Sequence, residues 1–214
     1  MVAAVIGGTG DLGRAVALRL ALGGVPVRLG SRDAARAVAA AAEIAALAPL
    51  SDVQGAGNAE AAAQGEICFL CVPDTAQVDT LRALAAELHG KILVDATVCL
   101  APGDPTRTVP PPEGSAAERA AALLPRTRVI AALQTVAARR LLRGEDLNHV
   151  DALVCGDDAE AKAAATDLIA QMGVRPLDAG PLRNAQTLER LTALIIGLNQ
   201  HYKRRHIAIQ FTGV

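Results

Sequence analysis

Aromatic residues are nearly absent from this sequence: its 214 residues include two Phe, one Tyr and no Trp, although 51% of them are apolar. A core must therefore be packed from Ala, Leu, Val and Ile side chains. The length suffices for one large domain, or for a domain with a smaller companion.

An excess of positive charge and a long apolar run are also missing. The formal net charge is −1, whereas nonspecific nucleic-acid binding needs a basic excess. No apolar stretch reaches the roughly 18 residues that a membrane span requires, and no basic segment precedes the first apolar run, as one would in a signal peptide. We therefore predict a cytoplasmic protein with neither a nucleic-acid nor a membrane partner.

Cysteine is scarce, with four residues in the chain. Cys68 and Cys71 have C-x-x-C spacing, but they lie in an apolar run typical of a buried strand, so we interpret them as buried thiols and not as a redox pair. Asp157 and Asp158 could bind a metal, but two acids at a helix start are ordinarily capping and dipole partners. We predict no metal site.

What the chain does have is a glycine loop directly after its first apolar run. Residues 2–6 read VAAVI, and the glycines that follow at 8, 10 and 13 have G-x-G-x-x-G spacing. In such a loop the first glycine permits a sharp turn, the second lets the backbone approach a pyrophosphate, and the third lets helix and strand pack closely. The helix N-terminus then offers free N–H groups to the phosphates. The predicted nucleotide contacts in this loop are Gly8, Thr9, Gly10, Asp11 and Leu12.

The end of the second predicted strand, residues 25–29, indicates which dinucleotide binds. A site that prefers NAD carries a carboxylate there for the ribose 2′-hydroxyl, but this chain has Ser31, Arg32 and, one helical turn later, Arg36. A hydroxyl and two guanidinium groups would bind a 2′-phosphate, so we predict NADP(H). In the alternative interpretation, Arg32 and Arg36 form an ordinary solvated helix face beside Asp33.

Further along the chain, apolar strands alternate with helical segments. This order predicts a Rossmann-type α/β fold with a doubly wound parallel sheet, in which residues 1–128 bind NADP(H) and residues 129–214 form a smaller C-terminal α/β domain. The proline-rich residues 101–114 are predicted to be an exposed loop, and residues 184–202 a long helix. Because ligands bind at the carboxyl ends of parallel strands, candidates for lining the site, or simply for packing, are Val72, Ala76, Thr97 and Val98.

Five segments together resemble the F420-dependent NADP oxidoreductases over nearly the whole chain. The glycine loop alone is generic, whereas the two C-terminal segments are far more specific. The matching segments are 7–13 (GGTGDLG), 18–20 (LRL), 30–32 (GSR), 154–158 (VCGDD) and 175–182 (RPLDAGPL).

The resemblance implies a homodimeric two-domain enzyme that moves hydride between NADP(H) and the deazaflavin F420. It implies that Ser31, Arg32 and Arg36 hold the 2′-phosphate. It also implies that residues 133–137 form one wall of a cleft between the two domains. The C-terminal domain would complete this cleft and form the dimer contact. Within that wall, Gln134, Thr135 and Val136 would contact the co-substrate and Ala137 would contact NADP(H). The chain departs from the family at Gln134, where a histidine is usual; glutamine can hydrogen-bond a flavin-like ring but cannot carry charge.

Direct hydride transfer between two stacked rings depends on positioning, so we predict no indispensable catalytic side chain. FMN or FAD could replace F420, since similar NADPH domains serve ferric reductases through ordinary flavin. Two other hypotheses remain open. One is an NADPH-dependent reductase of a small carbonyl or imine, which would need a proton donor near the substrate; the other is a non-enzymatic NADPH sensor.

Overall fold

Short apolar runs rich in Val, Ile, Leu and Ala form the strands, as expected where both faces of a sheet are covered by helices. The computed structural model describes residues 1–144 and 147–214. Its strands are β1 (Ala3–Ile6), β2 (Val27–Ser31), β3 (Val53–Gly57), β4 (Ile67–Leu70), β5 (Ile92–Asp95), β6 (Leu100–Ala101), β7 (Asp104–Thr108), β8 (Arg128–Ala132), β9 (Asp151–Gly156) and β10 (Arg175–Asp178).

Eight of these strands form one sheet in the order β10-β9-β8-β5-β4-β1-β2-β3. The predicted doubly wound α/β fold is thus confirmed, with one correction: β9 runs antiparallel to β8, while the other neighbours in the sheet are parallel. β9 and β10 continue the sheet that begins in the N-terminal region. Because of the reversal, the amino ends of β9 and β10 lie at the same sheet edge as the carboxyl ends of β1, β4, β5 and β8.

Helices cover both faces of the sheet and enclose two apolar layers. The helices are α1 (Asp11–Leu22), α2 (Ala34–Leu47), α3 (Asn58–Gln64), α4 (Asp74–Ala83), α5 (Ala116–Leu123), α6 (Ala138–Arg143), α7 (Ala159–Gln171) and α8 (Ala185–His201). The layer that contains Val5, Phe69 and Ile130 packs against α1, α2 and α7. The layer that contains Ile6, Leu70 and Leu93 packs against α3, α4, α5 and α8.

The prediction of an irregular loop over residues 101–114 was wrong. β6 and β7 form an antiparallel hairpin there, and β7 packs on the C-terminal half of α8, where a Cβ built on Gly197 would lie 3.9 Å from Thr106. Residues 104–108 alternate between half-buried and exposed positions, and Pro105 occupies an exposed one. In a two-stranded ribbon each strand is an edge strand, and proline is tolerated there.

The end of the chain returns to the amino ends of β9 and β10. Arg175 forms a two-point ion pair with the fully buried Asp151 (2.6 and 2.8 Å), and the same carboxylate accepts a hydrogen bond from the backbone N–H of Phe211 (2.5 Å). Arg175 holds the pKa of Asp151 below its usual value. Within the described residues, no helix is long and apolar enough to cross a membrane.

Candidate functional site

A cavity of about 560 Å³ opens at the carboxyl ends of β1, β2 and β4. This is the edge at which open α/β sheets bind ligands. Seven of the predicted cofactor contacts lie in its wall: Thr9, Gly10, Ser31, Arg32, Arg36, Val72 and Ala76. Gly7, Asp33, Asn58, Cys71, Pro73 and Thr80 complete the lining.

The glycines of the loop have distinct structural roles, which differ in part from the prediction. Gly7, which precedes the motif, adopts the positive φ of +76°, while Gly8 packs so closely on Leu29 that a Cβ would lie 2.5 Å from its side chain. A Cβ on Gly13 would lie 2.5 Å from the carbonyl oxygen of Gly7, which confirms the predicted close packing of helix and loop. At Gly10 the nearest atom to a Cβ would be 3.5 Å away.

Gly10 is therefore the position where the loop leaves room for a ligand. It is also the N-cap of α1, and among the described residues no side chain caps that helix. The first-turn N–H groups, including those of the predicted residues Asp11 and Leu12, thus lie at a helix N-terminus beside the cavity, with the partial positive charge that attracts phosphate.

Another wall of the cavity contains the residues predicted to distinguish a 2′-phosphorylated ribose from a free one. Ser31 is buried at the end of β2, and its Oγ lies 3.4 Å from Oγ1 of Thr9 and accepts a hydrogen bond from the N–H of Asp33 (3.2 Å). Arg32 and Arg36 are exposed at the mouth. Asp33 caps α2 through the N–H groups of Ala35 (3.0 Å) and Arg36 (3.3 Å). Its carboxylate is thus engaged with the helix, and two guanidinium groups remain at the rim.

Asn58 is a lining residue that the sequence analysis did not single out. It is the first residue of α3, and its Oδ1 accepts a hydrogen bond from the N–H of Gly7 at 3.4 Å. The contact joins residues 51 positions apart. Its one signal in the sequence is its place directly after β3, a strand whose carboxyl end lies at the ligand-binding edge of the sheet.

A second cluster of polar residues lies at the carboxyl end of β5 and is buried. Asp95 and Gln77 are fully buried, and the Gln77 amide donates to the Asp95 carboxylate and to the carbonyl of Ala116 (3.0 Å). Arg119 donates to Gln77 (2.7 Å) and pairs with Asp74 (2.5 Å). Burial raises the pKa of Asp95 above its usual value.

The predicted co-substrate residues follow β8, the neighbour of β5 in the sheet. Gln134, Thr135 and Val136 are all buried, and the Gln134 amide donates to the carbonyl of Asp95 at 2.8 Å. Its Oε1 is buried with no hydrogen-bond partner among the described residues. The residues therefore share the ligand-binding edge of the sheet with the cavity, but they do not line it.

Two further predicted cofactor residues lie at this same edge. Val98 is half-buried in the segment after β5, and Ala137 is half-buried at the N-cap of α6. Neither lines the cavity around the glycine loop. The structure thus brings together most of the residues predicted to contact the pyrophosphate and the ribose. It places the residues predicted to contact the nicotinamide and the co-substrate further along the same edge of the sheet.

The acidic pair at the start of α7 has structural partners. Asp158 caps the helix through the N–H of Ala161 (2.8 Å), as predicted, while Asp157 accepts a hydrogen bond from the N–H of Leu182 (2.9 Å). Among residues 1–144 and 147–214, no group of three or more His, Cys, Asp or Glu side chains could hold a metal ion.

A doubly wound sheet with a glycine loop, a helix N-terminus that no described side chain caps, and a rim formed by Arg32 and Arg36 defines a Rossmann-type dinucleotide-binding protein. The family model "NADP oxidoreductase coenzyme F420-dependent" matches residues 2–99. The F420-dependent NADP reductase of Methanothermobacter marburgensis is 43% identical over 99% of this chain and 98% of that protein. The enzyme of the same name from Methanocaldococcus jannaschii is 39% identical over 99% and 98%. This chain belongs to the F420-dependent NADP oxidoreductase family.

A solved structure agrees with this placement. It is the crystal structure of a protein from Arthrobacter sp. FB24 named for a proposed F420-dependent NADP reductase activity. The two chains superpose with a TM-score of 0.84 and 27% identity, over 99% of each. The family resemblance that the sequence motifs predict is therefore confirmed along the full length of the chain.

Proposed function

We propose that this protein is an NADPH-dependent oxidoreductase that transfers hydride between NADP(H) and the deazaflavin F420. The observation that carries the proposal is the glycine-loop cavity with its Ser31, Arg32 and Arg36 wall, in a chain that aligns end to end with F420-dependent NADP reductases.

The residues around the cavity fit a dinucleotide that carries a 2′-phosphate. The open space at Gly10 admits a pyrophosphate to the N-terminus of α1, where Gly8, Thr9, Asp11 and Leu12 supply the surrounding loop. Ser31, Arg32 and Arg36 bind the 2′-phosphate, since guanidinium groups form short, charge-assisted hydrogen bonds with phosphate. Val72, Ala76, Val98 and Ala137 line the path toward the nicotinamide.

NADP(H), when bound, supplies or accepts the hydride at its nicotinamide ring. The contribution of the protein is to hold two rings in contact and to exclude water, and we assign no indispensable acid or base to it. On the co-substrate side we assign Gln134, Thr135 and Val136. The Oε1 of Gln134, which has no hydrogen-bond partner among the described residues, is suited to accept a hydrogen bond from a ring N–H.

The experiment that tests the proposal follows NADPH absorbance with purified protein and equal concentrations of F420, FMN or FAD. We expect rapid oxidation with F420 and slow oxidation with the other two. Oxidation by FMN or FAD alone would reassign the co-substrate, and oxidation only by a small carbonyl or imine would replace the proposed reaction. Tight NADPH binding without any oxidation would indicate a sensor.

We also propose a homodimer, two domains divided near residue 128, and a cytoplasmic location. The sheet ends at β10, beside an apolar cavity of about 510 Å³ lined by Leu153, Leu177, Leu188 and Leu191 among others, with the exposed Phe211 and Val214 at its rim. A second copy would cover this surface. The cysteines at 68, 71, 99 and 155 are free thiols, which suits a reducing compartment. Light scattering of the purified protein tests the homodimer, and cell fractionation tests the cytoplasmic location.

A further inference from the structure

Two loops at the ligand-binding edge of the sheet lie side by side. One follows β5 and includes Val98, and the other follows β8 and includes Gln134. The strands before them are paired, with Asp95 opposite Ala131. In the proposed reaction these loops face the nicotinamide and the co-substrate, so their relative position decides how closely the two rings approach.

Glu189, a buried residue of α8, holds the first loop. Its Oε2 accepts a hydrogen bond from the N–H of Cys99 (3.1 Å), and its Oε1 accepts one from the N–H of Ala116, the first residue of α5 (2.7 Å). At the other end of the loop, the Asp95 carboxylate accepts a hydrogen bond from the N–H of Thr97 (2.9 Å). Two buried carboxylates from different elements therefore fix the backbone on both sides of Val98.

Thr192, one helical turn further along α8, holds the second loop. Its Oγ1 lies 2.9 Å from the carbonyl oxygen of Gln134 and 3.1 Å from that of Leu188, one turn earlier in the same helix, and its one proton is shared between these two acceptors. Leu133, the residue before Gln134, is buried with a positive φ of 74°. This conformation is strained for a non-glycine residue and persists only where the surrounding contacts hold it in place. The Thr192 contact and the bond from the Gln134 amide to Asp95 supply that support.

We propose that Glu189 and Thr192 are positioning residues, through which α8 clamps the loops after β5 and β8 in one fixed relation and so sets the geometry of hydride transfer. The proposal rests on the proposed function. It assigns the C-terminal helix a role in the reaction although neither side chain lines the dinucleotide cavity. Because a small misplacement of reacting groups can cost up to about 100-fold in rate, such a clamp would act on the chemical step.

The test compares Thr192→Val and Glu189→Gln with wild type in steady-state and single-turnover assays. We expect the hydride-transfer rate and kcat to fall about tenfold in each variant, with the KM for NADPH within about twofold of wild type, because the pyrophosphate and ribose contacts are untouched. Thr192→Ser keeps the hydroxyl and should restore the rate. Thr166→Val is the matched control, since Thr166 is a half-buried threonine of α7 on the opposite face of the sheet, and it should leave the rate unchanged.

Backbone hydrogen exchange provides a readout independent of activity. Exchange at Cys99 and Ala116 should speed up about tenfold in Glu189→Gln, and exchange at Val136 should do so in Thr192→Val, while amides of β1 and α1 keep their protection. Unchanged rates in both variants, or a rate loss that Thr192→Ser fails to restore, would overturn the proposal. If wild type does not transfer hydride to F420, the proposed function fails, whereas unchanged exchange in the variants refutes the clamp.

Discussion

The two ends of the ligand-binding edge are built in different ways. Around β1 and β2 the site is mostly backbone. Glycines and a helix N-terminus surround an open cavity, and the exposed side chains of Arg32 and Arg36 lie at its rim. Around β5 and β8 the site is made of buried polar side chains. The Gln77 amide donates to the Asp95 carboxylate, and the carboxylates of Asp95 and Glu189 accept hydrogen bonds from backbone N–H groups of the loop after β5.

This difference suggests that the first end binds the cofactor, whereas the second end positions the loops around the reacting rings. A backbone site tolerates little change in shape but needs few specific side chains, and it suits a cofactor whose phosphates are the same in many proteins. A buried polar network is costly unless each member is satisfied, and in return it fixes loops rigidly. We therefore expect substitutions at the first end to abolish binding, and substitutions at the second end to affect rate and pH dependence.

The largest loss of stability and of NADPH binding is expected at Gly13, at the first end. Gly13→Ala introduces a Cβ 2.5 Å from the Gly7 carbonyl oxygen and 2.7 Å from the Gly8 Cα. Because these are backbone atoms that cannot rotate away, we expect a loss of about 3 kcal/mol in the free energy of unfolding and no measurable NADPH binding. Urea unfolding and calorimetric titration measure both.

Gly10→Ala distinguishes packing from ligand approach. Its Cβ would have ordinary contacts, the nearest at 3.5 Å. Because Gly10 is the N-cap of α1, where alanine is less favourable than glycine, the free energy of unfolding should fall by about 1 kcal/mol or less, while NADPH affinity falls strongly. Gly57→Ala is the control, because it replaces the N-cap of α3 where a Cβ meets no atom within 4 Å; it should lose similar stability and keep NADPH affinity. Normal NADPH affinity in Gly10→Ala would contradict the assignment of Gly10 to the pyrophosphate.

A smaller loss of NADPH affinity is expected at the rim formed by Arg32 and Arg36. Arg32→Glu places a carboxylate where the 2′-phosphate is proposed to bind, so NADPH affinity should fall about 30-fold while NADH affinity changes little. Fluorescence titration with both nucleotides measures the ratio. Arg126→Glu, an exposed arginine just before β8 at the opposite edge of the sheet, is the matched charge reversal. Equal losses for NADPH and NADH in Arg32→Glu would remove the 2′-phosphate assignment.

The same division decides what could be predicted from the sequence. The spacing of Gly8, Gly10 and Gly13 and the identity of Ser31 and Arg32 are local signals, because consecutive residues build that part of the site. The contact of Glu189 with Cys99 joins residues 90 positions apart, and a buried glutamate in an amphipathic helix carries no local signal of its partner. The β6–β7 hairpin was missed for a related reason, since its support comes from α8.

The smallest effect concerns the pH dependence of stability, which should arise at the buried end. Burial raises the pKa of Glu189 from its usual 4.5 to about 7. The groups that face it are Asp95 from β5 and the Cys99 thiol, with Asp74 and Arg119 on the far side of that thiol.

Between these two pKa values the folded protein keeps a proton on Glu189 that the unfolded chain releases, so this contribution to stability is complete below about pH 4.5 and is lost as pH rises through about 7. We expect the free energy of unfolding of wild type, relative to Glu189→Gln, to fall by about 1–2 kcal/mol between about pH 5 and pH 8. Urea unfolding of both proteins across this range measures the difference, with exposed Glu160→Gln as control. Parallel pH curves for wild type and Glu189→Gln would show that Glu189 does not titrate in this window and would weaken the contrast between the two ends.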